Sequence, residues 1–353
     1  MWRPDTIIGA RERRPRRRHR RRALLGTLAV IVPVAGLLAA CGGGSGSSGG
    51  QAAGAGPATG TLTVGIPPVT DIGNLYLAQS KGFFKSRGLN VKIVFLNGGA
   101  ALIPAMESGS VTMGQSNLVS VLQAQQQHLG IKCFAGAWRS SPRPQLSLVV
   151  SPKFTSSITT PAGLAGKTVA VNALNNSNQL VTDVYLKAHG VDPASVHFVG
   201  LAYPDMPAAL SSGRVAAAII DEPFTTIVTT TQGSKILAAE PVAAIATNAL
   251  YSCWVAPASW LSSHRQLAAK FVAAIDQANS YAAAHPAYLR SILPKYTAVS
   301  AKLAGHVTLP NFTTQITAAD VQPWANAAAE FKMTAAVIPP ASVIAAVSPA
   351  GGS

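Results

Sequence analysis

Short hydrophobic runs alternate with amphipathic stretches along the chain from Thr61 onward. The pattern predicts a first strand at residues 62–66, a helix at residues 73–81 and a second strand at residues 91–95. Strands that alternate with helices are typical of a parallel or mixed sheet with crossover helices. The pattern therefore predicts an α/β fold.

The same order of elements recurs later in the chain. Strands are predicted at residues 146–150 and 168–171, a helix at residues 177–189, and another strand at residues 196–199. This repetition predicts two similar α/β lobes, the second inserted into the first. Alanine-rich segments after Ala258 predict helices that pack back on the first lobe.

The domain boundaries follow from this repetition. We expect residues 61–148 to form the first part of lobe 1, residues 149–250 to form lobe 2, and residues 251–353 to complete lobe 1 with C-terminal helices. The chain is longer than the roughly 100 to 200 residues common for one domain, which agrees with two lobes. The sequence after residue 40 contains no predicted membrane span.

A basic block followed by an apolar run opens the chain, which is the order of a signal peptide. Arginines crowd residues 11–22, and glycine and proline interrupt the apolar run at residues 23–40, so an unbroken span of about 20 apolar residues fits less well. The run ends in Leu38-Ala39-Ala40-Cys41, which resembles the lipobox of bacterial lipoproteins. We therefore expect residues 1–40 to be a lipoprotein signal peptide and Cys41 to carry a lipid on the extracytoplasmic face of the cell membrane.

Two alternatives stay open for this segment. It is also compatible with an ordinary signal peptide or a single anchor helix that has a cysteine there by chance. The arginine run at residues 20–22 leaves twin-arginine export open beside the general secretion route.

Residues 41–60 are dominated by glycine, serine and alanine, a composition that predicts a flexible tether. The whole chain has a formal charge of +15, but residues 1–40 hold ten of the 28 Lys and Arg and two of the 13 Asp and Glu. The remainder has 18 basic against 11 acidic residues, a charge of +7. We therefore expect no nucleic acid partner.

Cys133 and Cys253 are the cysteines that remain after Cys41 is lipidated. Both lie in short apolar runs that are typical of neighbouring core strands. In an exported protein they are candidates for a disulfide, with two buried free thiols as the alternative.

Several short motifs follow one another between residues 62 and 224. They are LTVGIPPVTD at residues 62–71, LYLA at 75–78, KGFFK at 81–85, GLNV at 88–91, AMESGSV at 105–111, LAGKTVAV at 164–171, MPAAL at 206–210, GRVAAA at 213–218 and DEPF at 221–224. Together they resemble the nitrate/sulfonate/taurine-type (NMT1/THI5-like) solute-binding lipoproteins of bacterial ABC importers, over roughly residues 61–290.

This resemblance implies a periplasmic-binding-protein-like fold with two lobes joined by two hinge strands. It also implies capture of a small solute by hinge closure, without breaking a bond in the solute. The expected partners are the solute, an ABC permease with its ATPase, and the membrane through Cys41. We expect a monomer with no cofactor and no metal.

The candidate ligand-binding residues follow from position in such a fold. Strand ends and helix N-termini surround the cleft, and helix N-termini offer unpaired N–H groups that suit anions and carbonyls. The candidates are Thr70, Asp71, Asn74, Ser116, Asn117, Trp138, Arg139, Asn175, Asn176, Ser177, Glu222 and Tyr251.

Several candidates also have simpler explanations. Asp71, Asn117 and Ser177 can act only as helix caps, a common role of these residue types. The run of amides at residues 175–178 is denser than a cap requires, which favours ligand contact.

Three further candidates are equally open. Trp138 can simply pack near a hinge. Arg139 can hold a carboxylate or sulfonate, or be a solvated loop arginine like Arg143. Glu222 can accept a hydrogen bond from a ligand amine, or only sit at a helix start where negative charge is favourable.

The ligand class remains broad at this stage: an organic sulfonate or carboxylate, a nitrate-like anion, or a pyrimidine-like heterocycle. We do not expect an enzyme, because no histidine falls in the predicted cleft segments. A same-fold enzyme of the pyrimidine-precursor synthase type and a ligand-sensing lipoprotein are the alternatives.

Overall fold

The computed structural model describes residues 59–345 and residue 347. The predicted signal peptide, the lipid site at Cys41 and most of the predicted tether lie outside the described residues. The strands are β1 Gly60–Ile66, β2 Leu89–Phe95, β3 Met113–Asn117, β4 Ile131–Arg139, β5 Leu146–Val150, β6 Thr168–Val171, β7 His197–Gly200, β8 Ala217–Asp221, β9 Lys235–Ala239, β10 Leu250–Pro257 and β11 Asn311–Phe312. The α-helices are α1 Gly73–Ser80, α2 Gly99–Glu107, α3 Leu118–Gln126, α4 Ser177–Ala188, α5 Met206–Ser212, α6 Phe224–Thr231, α7 Ala258–Ser263, α8 Arg265–Ala284, α9 Pro286–Ile292, α10 Ala301–Ala304, α11 Ala318–Glu330 and α12 Pro340–Val343.

The strands form two sheets, which confirms the predicted fold class of two α/β lobes. The lobe 1 sheet has the order β11-β4-β10-β3-β1-β2, and the lobe 2 sheet has the order β7-β6-β8-β5-β9. In lobe 1, β1 pairs in parallel with β2 and β3, and β3 pairs antiparallel with β10. In lobe 2, β6 pairs in parallel with β7 and β8, and β8 pairs antiparallel with β5. The internal repetition of the sequence therefore corresponds to two sheets with the same local plan, β2-β1-β3-β10 and β7-β6-β8-β5.

Each sheet is covered by helices that bury its apolar side chains. In lobe 1, Leu62, Val64 and Ile66 of β1 are fully buried, as are Phe271 of α8 and Trp254 of β10. Strand β10 is buried at every position from Leu250 to Ala256 because side chains on both of its faces are covered, whereas Thr61 of β1 is exposed. Burial of such surface at about 25 cal/mol per Å² drives the assembly of each lobe.

The chain passes between the lobes twice, once between β4 and β5 and once between β9 and β10. Glu240 in the second crossing accepts the backbone N–H of Gln145 in the first, at 2.7 Å. The two crossings are therefore held side by side, as a pair of hinge segments requires.

Strands β4 and β10 pair antiparallel, as expected of the strands that carry the two cysteines. The structure joins Cys133 to Cys253 in a disulfide, with the two Cα atoms 5.7 Å apart. The bond ties the end of the first lobe 1 segment to the strand that re-enters the lobe from lobe 2.

The C-terminal helices pack partly as predicted. Helix α8 lies on α1 and β2, and α12 lies on α3 and β4, all in lobe 1. Helix α11 also contacts α4 of lobe 2, and Lys187 of α4 forms an ion pair with Glu330 of α11. The tail therefore bridges the lobes, which the sequence pattern did not indicate.

Among the described residues, no helix combines the length and hydropathy needed to cross a membrane.

Candidate ligand-binding cleft

A small polar cavity lies between the lobes at the carboxyl ends of their parallel strands. Its volume is about 20 Å³, far below that of a drug-sized solute. The lining residues are Pro67, Asp71, Gly98, Gly99, Gln115, Asn117, Asn172, Tyr203, Asp221, Tyr251 and Ser252.

The two lobes contribute to this lining in the same way. Pro67 follows β1 and Asn172 follows β6, the first parallel strand of each lobe. Asn117 ends β3 and Asp221 ends β8, the equivalent second strands. Ligands in open α/β sheets bind outside the carboxyl ends of strands, so these positions mark the cleft as the candidate site.

Asp71 is the acidic group of lobe 1 and lies in the 3-10 turn Thr70–Ile72. Its Oδ2 accepts hydrogen bonds from Trp138 Nε1 at 2.9 Å and Gln115 Nε2 at 3.2 Å. Its Oδ1 is buried and has no partner among the described residues. Burial raises the pKa of this carboxyl to about 6, although the two hydrogen bonds act in the opposite direction.

Asp221 is the acidic group of lobe 2 and is 2 % exposed. Burial raises the pKa of this carboxyl well above its ordinary value, and the negative charge of Asp71 raises it further. The hydroxyl of Tyr203 makes a hydrogen bond that lowers the same pKa. Like Asp71, Asp221 has a buried Oδ1 without a partner among the described residues.

The arrangement is electrostatically one-sided. Two carboxyl groups, one from each lobe, face the same space, and none of the described residues that line it is Lys, Arg or His. A buried carboxyl needs a hydrogen-bond donor or a positive charge to be satisfied. The cleft can therefore accept N–H groups and is unsuited to an anion.

A chain of hydroxyl and amide groups supports the acidic pair. Tyr251 donates its hydroxyl to Asn178 Oδ1, and Asn178 Nδ2 donates to the Tyr203 hydroxyl at 2.9 Å. Gln115 Nε2 also donates to Ser252 Oγ at 2.9 Å. The orientation of the Asn178 amide is fixed, because both its oxygen and its nitrogen are engaged in hydrogen bonds.

Two glycines allow tight packing at the lobe 1 wall of the cleft. Gly98 has φ of 72°, a left-handed conformation that favours glycine. A Cβ at Gly99 would lie 2.5 Å from Ser116 Oγ, so a larger residue does not fit there. The start of α2 can therefore approach the cleft directly.

Hydrogen bonds join the two lobes around the cavity. Thr70 N donates to Glu222 O at 2.9 Å, and Asn97 Nδ2 donates to Asn172 O at 3.0 Å. Ser177 Oγ donates at 2.9 Å to the Oδ1 of Asn117, which also caps α3. With these contacts and so little space between the carboxyls, a ring-sized solute can enter only when the lobes move apart.

The structure brings three predicted candidates into the lining, namely Asp71, Asn117 and Tyr251. Three others, Thr70, Asn176 and Ser177, lie buried in hydrogen bonds beside the cleft or between the lobes. Each of these side chains forms a hydrogen bond to another protein group, so it helps to hold the cleft walls in position.

The remaining candidates point elsewhere. Ser116 is buried and donates to the Asn117 carbonyl. Asn74 donates to Asn279 at 2.9 Å, on the side of α1 that faces α8. Asn175 is exposed at a turn with φ of 53°. Trp138 is fully buried, stacks on Tyr251 and holds Asp71 in place.

Two charged candidates are used within the protein. Arg139 forms an ion pair with Asp320 of α11 at 2.5 Å and does not line the cleft. Glu222 accepts hydrogen bonds from Thr226 N at 3.0 Å and Thr226 Oγ1 at 2.9 Å, in the first turns of α6. Of the two explanations considered for Glu222, the position at the helix start agrees with these contacts.

Lining residues outside the candidate set include Gln115, Asn172, Tyr203, Asp221 and Ser252. Asp221 had a usable signal, because it ends a buried strand just as Asn117 does. Ser252 had no such signal in the sequence, since its position in the cleft lining depends on the pairing of β10 with β3.

Within the described residues, no cluster of three or more His, Cys, Asp or Glu side chains could hold a metal ion.

Comparison with known proteins places this architecture in a family. The sequence model of the family described as NMT1/THI5 like matches residues 69–288. The chain belongs to this family.

One curated relative is the formylaminopyrimidine-binding protein of Halalkalibacterium halodurans. It is 28% identical over 145 residues. That match spans 41% of this chain and 42% of the relative, so less than half of either protein is compared.

Solved structures share the fold at low sequence identity. The alkanesulfonate-binding protein SsuA from Xanthomonas axonopodis pv. citri, bound to MOPS, has a TM-score of 0.70 and 18% identity, covering 82% of this chain and 99% of that protein. The periplasmic nitrate-binding protein NrtA from Synechocystis PCC 6803 has a TM-score of 0.69 and 13% identity, covering 81% and 86%. At these identities the likeness shows a fold used by solute-binding proteins.

Proposed function

We propose that this protein captures a small amino-substituted nitrogen heterocycle of pyrimidine size between its lobes and delivers it to an ABC permease. The observation that carries the proposal is the pair of buried carboxyls, Asp71 and Asp221, each with an oxygen that lacks a partner among the described residues. The match to the formylaminopyrimidine-binding relative over part of the chain supports the same class of solute.

The two carboxyls differ in a way that suits an aminopyrimidine edge. With a pKa of about 6, Asp71 is largely ionised at neutral pH and accepts an N–H group. Burial raises the pKa of Asp221 well above its ordinary value, which favours the protonated form of this carboxyl, and a protonated carboxyl can donate a hydrogen bond. An aminopyrimidine presents an amino donor beside a ring nitrogen acceptor, which matches one acceptor beside one donor.

Anionic solutes fit this lining poorly. A sulfonate, carboxylate or nitrate would bring negative charge against the ionised carboxylate of Asp71 in a buried space, where repulsion is strong. The arginine expected to hold such an anion, Arg139, is paired with Asp320. We therefore favour the heterocycle among the solutes that the sequence left open.

Closure of the lobes supplies the remaining affinity. Tyr203 and Tyr251 contribute aromatic surface to the lining, and flat rings stack favourably on such side chains. The interlobe hydrogen bonds of Thr70, Asn97 and Ser177 form only when the lobes are together. A solute that bridges Asp71 and Asp221 therefore stabilises the closed form.

We propose that this activity lies outside the cytoplasm, as the N-terminal sequence indicates. A signal peptide at residues 1–40 and a lipid on Cys41 would hold the protein at the membrane, within reach of a permease. A sensor that uses the same cleft is the second candidate. Cells that lack the protein should lose uptake of the labelled heterocycle if it serves import, and should keep uptake if it serves sensing.

Thermal unfolding tests the solute class. We expect aminopyrimidines to raise the melting temperature, and nitrate, alkyl sulfonates and aryl carboxylates to leave it unchanged. A ligand at about 100 times its Kd stabilises the folded state by about 2.7 kcal/mol, which gives a clear shift. A shift with a sulfonate and none with any aminopyrimidine would overturn the proposed solute.

Variants link that shift to the cleft. Asp71→Ala and Asp221→Ala should each abolish the stabilisation by aminopyrimidines, because each removes one hydrogen-bonding partner of the ring edge. Asp205→Ala is the matched control, an exposed aspartate of lobe 2 that does not line the cavity. An unchanged shift in both cleft variants would show that the solute binds elsewhere.

A further inference from the structure

A second and much larger cavity lies on lobe 1, beside the first crossing segment. Its volume is about 650 Å³, within the range of pockets that hold small organic ligands. It shares no lining residue with the interlobe cleft. We call this cavity the hinge-side pocket. Its lining residues are Ser141, Pro142, Arg143, Asn279, Ala282, Ala283, Pro286, Leu289, Arg290, Leu309, Pro310, Asn311 and Phe312.

The charge of the hinge-side pocket is opposite to that of the cleft. Arg143 and Arg290 line it, and the lining contains no Asp or Glu. Neither arginine forms an ion pair with a carboxylate of the described residues. Arg290 is held by a hydrogen bond from its Nε to Val307 O at 3.2 Å, which leaves its two terminal nitrogens available.

The half-buried amide of Asn279 is also part of the lining. The Oδ1 of Asn279 accepts a hydrogen bond from Asn74 at 2.9 Å, which fixes the orientation of the amide group. Its Nδ2 is buried and has no partner among the described residues. A buried donor of this kind needs an acceptor.

The remaining wall is apolar. Leu289, Leu309 and Phe312 line it, together with alanine and proline side chains from α8, α9 and the segment before β11. Guanidinium groups recognise carboxylates and similar anions, while such a wall buries a hydrophobic body. The chemistry is therefore that of a small organic anion with an apolar group.

We propose that the hinge-side pocket is a second binding site, specific for a small organic anion with an apolar ring or chain, with Arg143 and Arg290 holding the charged end. This site is independent of the proposed solute of the cleft. It lies against residues 141–143 of the first crossing, so an occupant contacts the segment about which the lobes turn.

Calorimetric titration of the purified protein with naphthoate tests the site, with naphthamide as the uncharged probe of the same shape. We expect naphthoate to bind at least about tenfold more tightly than naphthamide, because only the anion pairs with guanidinium groups. The double variant Arg143→Ala/Arg290→Ala should weaken naphthoate binding at least about tenfold. Equal binding of the two probes, or no binding of naphthoate at millimolar concentration, would overturn the proposal.

Three further proteins make the result specific. Arg214→Ala removes an exposed arginine of lobe 2 and should leave naphthoate binding unchanged; an equal loss there would mean general charge attraction. Arg143→Ala alone changes an exposed side chain, so it should fold normally and still weaken binding. Asp221→Ala should leave the affinity for naphthoate unchanged. Removal of a cleft carboxyl would strengthen the binding of an anion held there, so tighter binding in this variant would place the anion in the cleft and overturn the second site.

Discussion

At the scale of residues, the proposed function depends on carboxyl groups that are buried without a fixed positive partner. Asp71, Asp221, Glu222 and Glu240 all lie at the cleft or at the crossings, and burial raises the pKa of each. Among residues 221–223, Glu222 is the candidate selected from the sequence, whereas Asp221 is the residue that lines the cleft. The side chain of Asp221 faces the cleft because it ends β8, while Glu222 turns toward its own helix.

Glu240 gives a testable pH dependence. Burial raises its pKa to about 7, so the folded protein binds a proton more tightly than the unfolded chain, whose carboxyl titrates near 4.5. Its contribution to stability is therefore complete below about pH 4.5 and is lost as the pH rises through about 7. Between pH 5 and pH 8, the free energy of unfolding of the natural protein should fall relative to that of Glu240→Gln by about 2 to 3 kcal/mol.

Urea unfolding at the two pH values measures this difference. Glu107→Gln serves as the control, because Glu107 is exposed at the end of α2 and should change no pH dependence. If Glu240→Gln and the natural protein kept a constant difference in stability from pH 5 to pH 8, Glu240 would not carry a raised pKa.

At the scale of elements, much of the fold follows from the sequence pattern. Helix α4 was predicted at residues 177–189 and is observed at Ser177–Ala188, because Asn176 provides a capping side chain and an amphipathic run follows. Strand β11 was not predicted, since two residues carry no periodicity and its pairing depends on β4. The bridge from α11 to α4 was missed because contacts between distant helices leave no local pattern.

The same limit applies to the cleft. Positions at strand ends could be selected from the sequence, and this rule selected Asn117, which lines the cleft. The direction of each side chain could not be selected, because it depends on the twist and pairing of the strands. Trp138 and Arg139 adjoin in sequence, yet one supports Asp71 and the other pairs with Asp320.

The contribution of the disulfide between β4 and β10 to the free energy of unfolding can be tested. Cys133 and Cys253 are 120 residues apart, and the bond restricts the unfolded chain over that whole loop. Cys133→Ala/Cys253→Ala should lower the free energy of unfolding by about 2 to 5 kcal/mol, measured in urea. A reducing agent should destabilise the natural protein and leave the double variant unchanged; equal stability of both proteins without reductant would contradict the bond.

At the scale of the whole molecule, the two lobes repeat one plan and meet at equivalent strand ends. The residues after β1 and β6 and the last residues of β3 and β8 all line the cleft. Each lobe thereby contributes one half of a polar site, and the proposed solute needs both halves. This division favours closure around the solute, with the crossings between β4 and β5 and between β9 and β10 as the hinge.

The most direct test is a crystal structure of the protein grown with an aminopyrimidine. The account predicts the ring between the lobes, with its amino nitrogen about 3 Å from Asp71 Oδ1 and a ring nitrogen at the same distance from Asp221 Oδ1. A ring bound in the hinge-side pocket, or in the cleft without contact to either carboxyl, would contradict it.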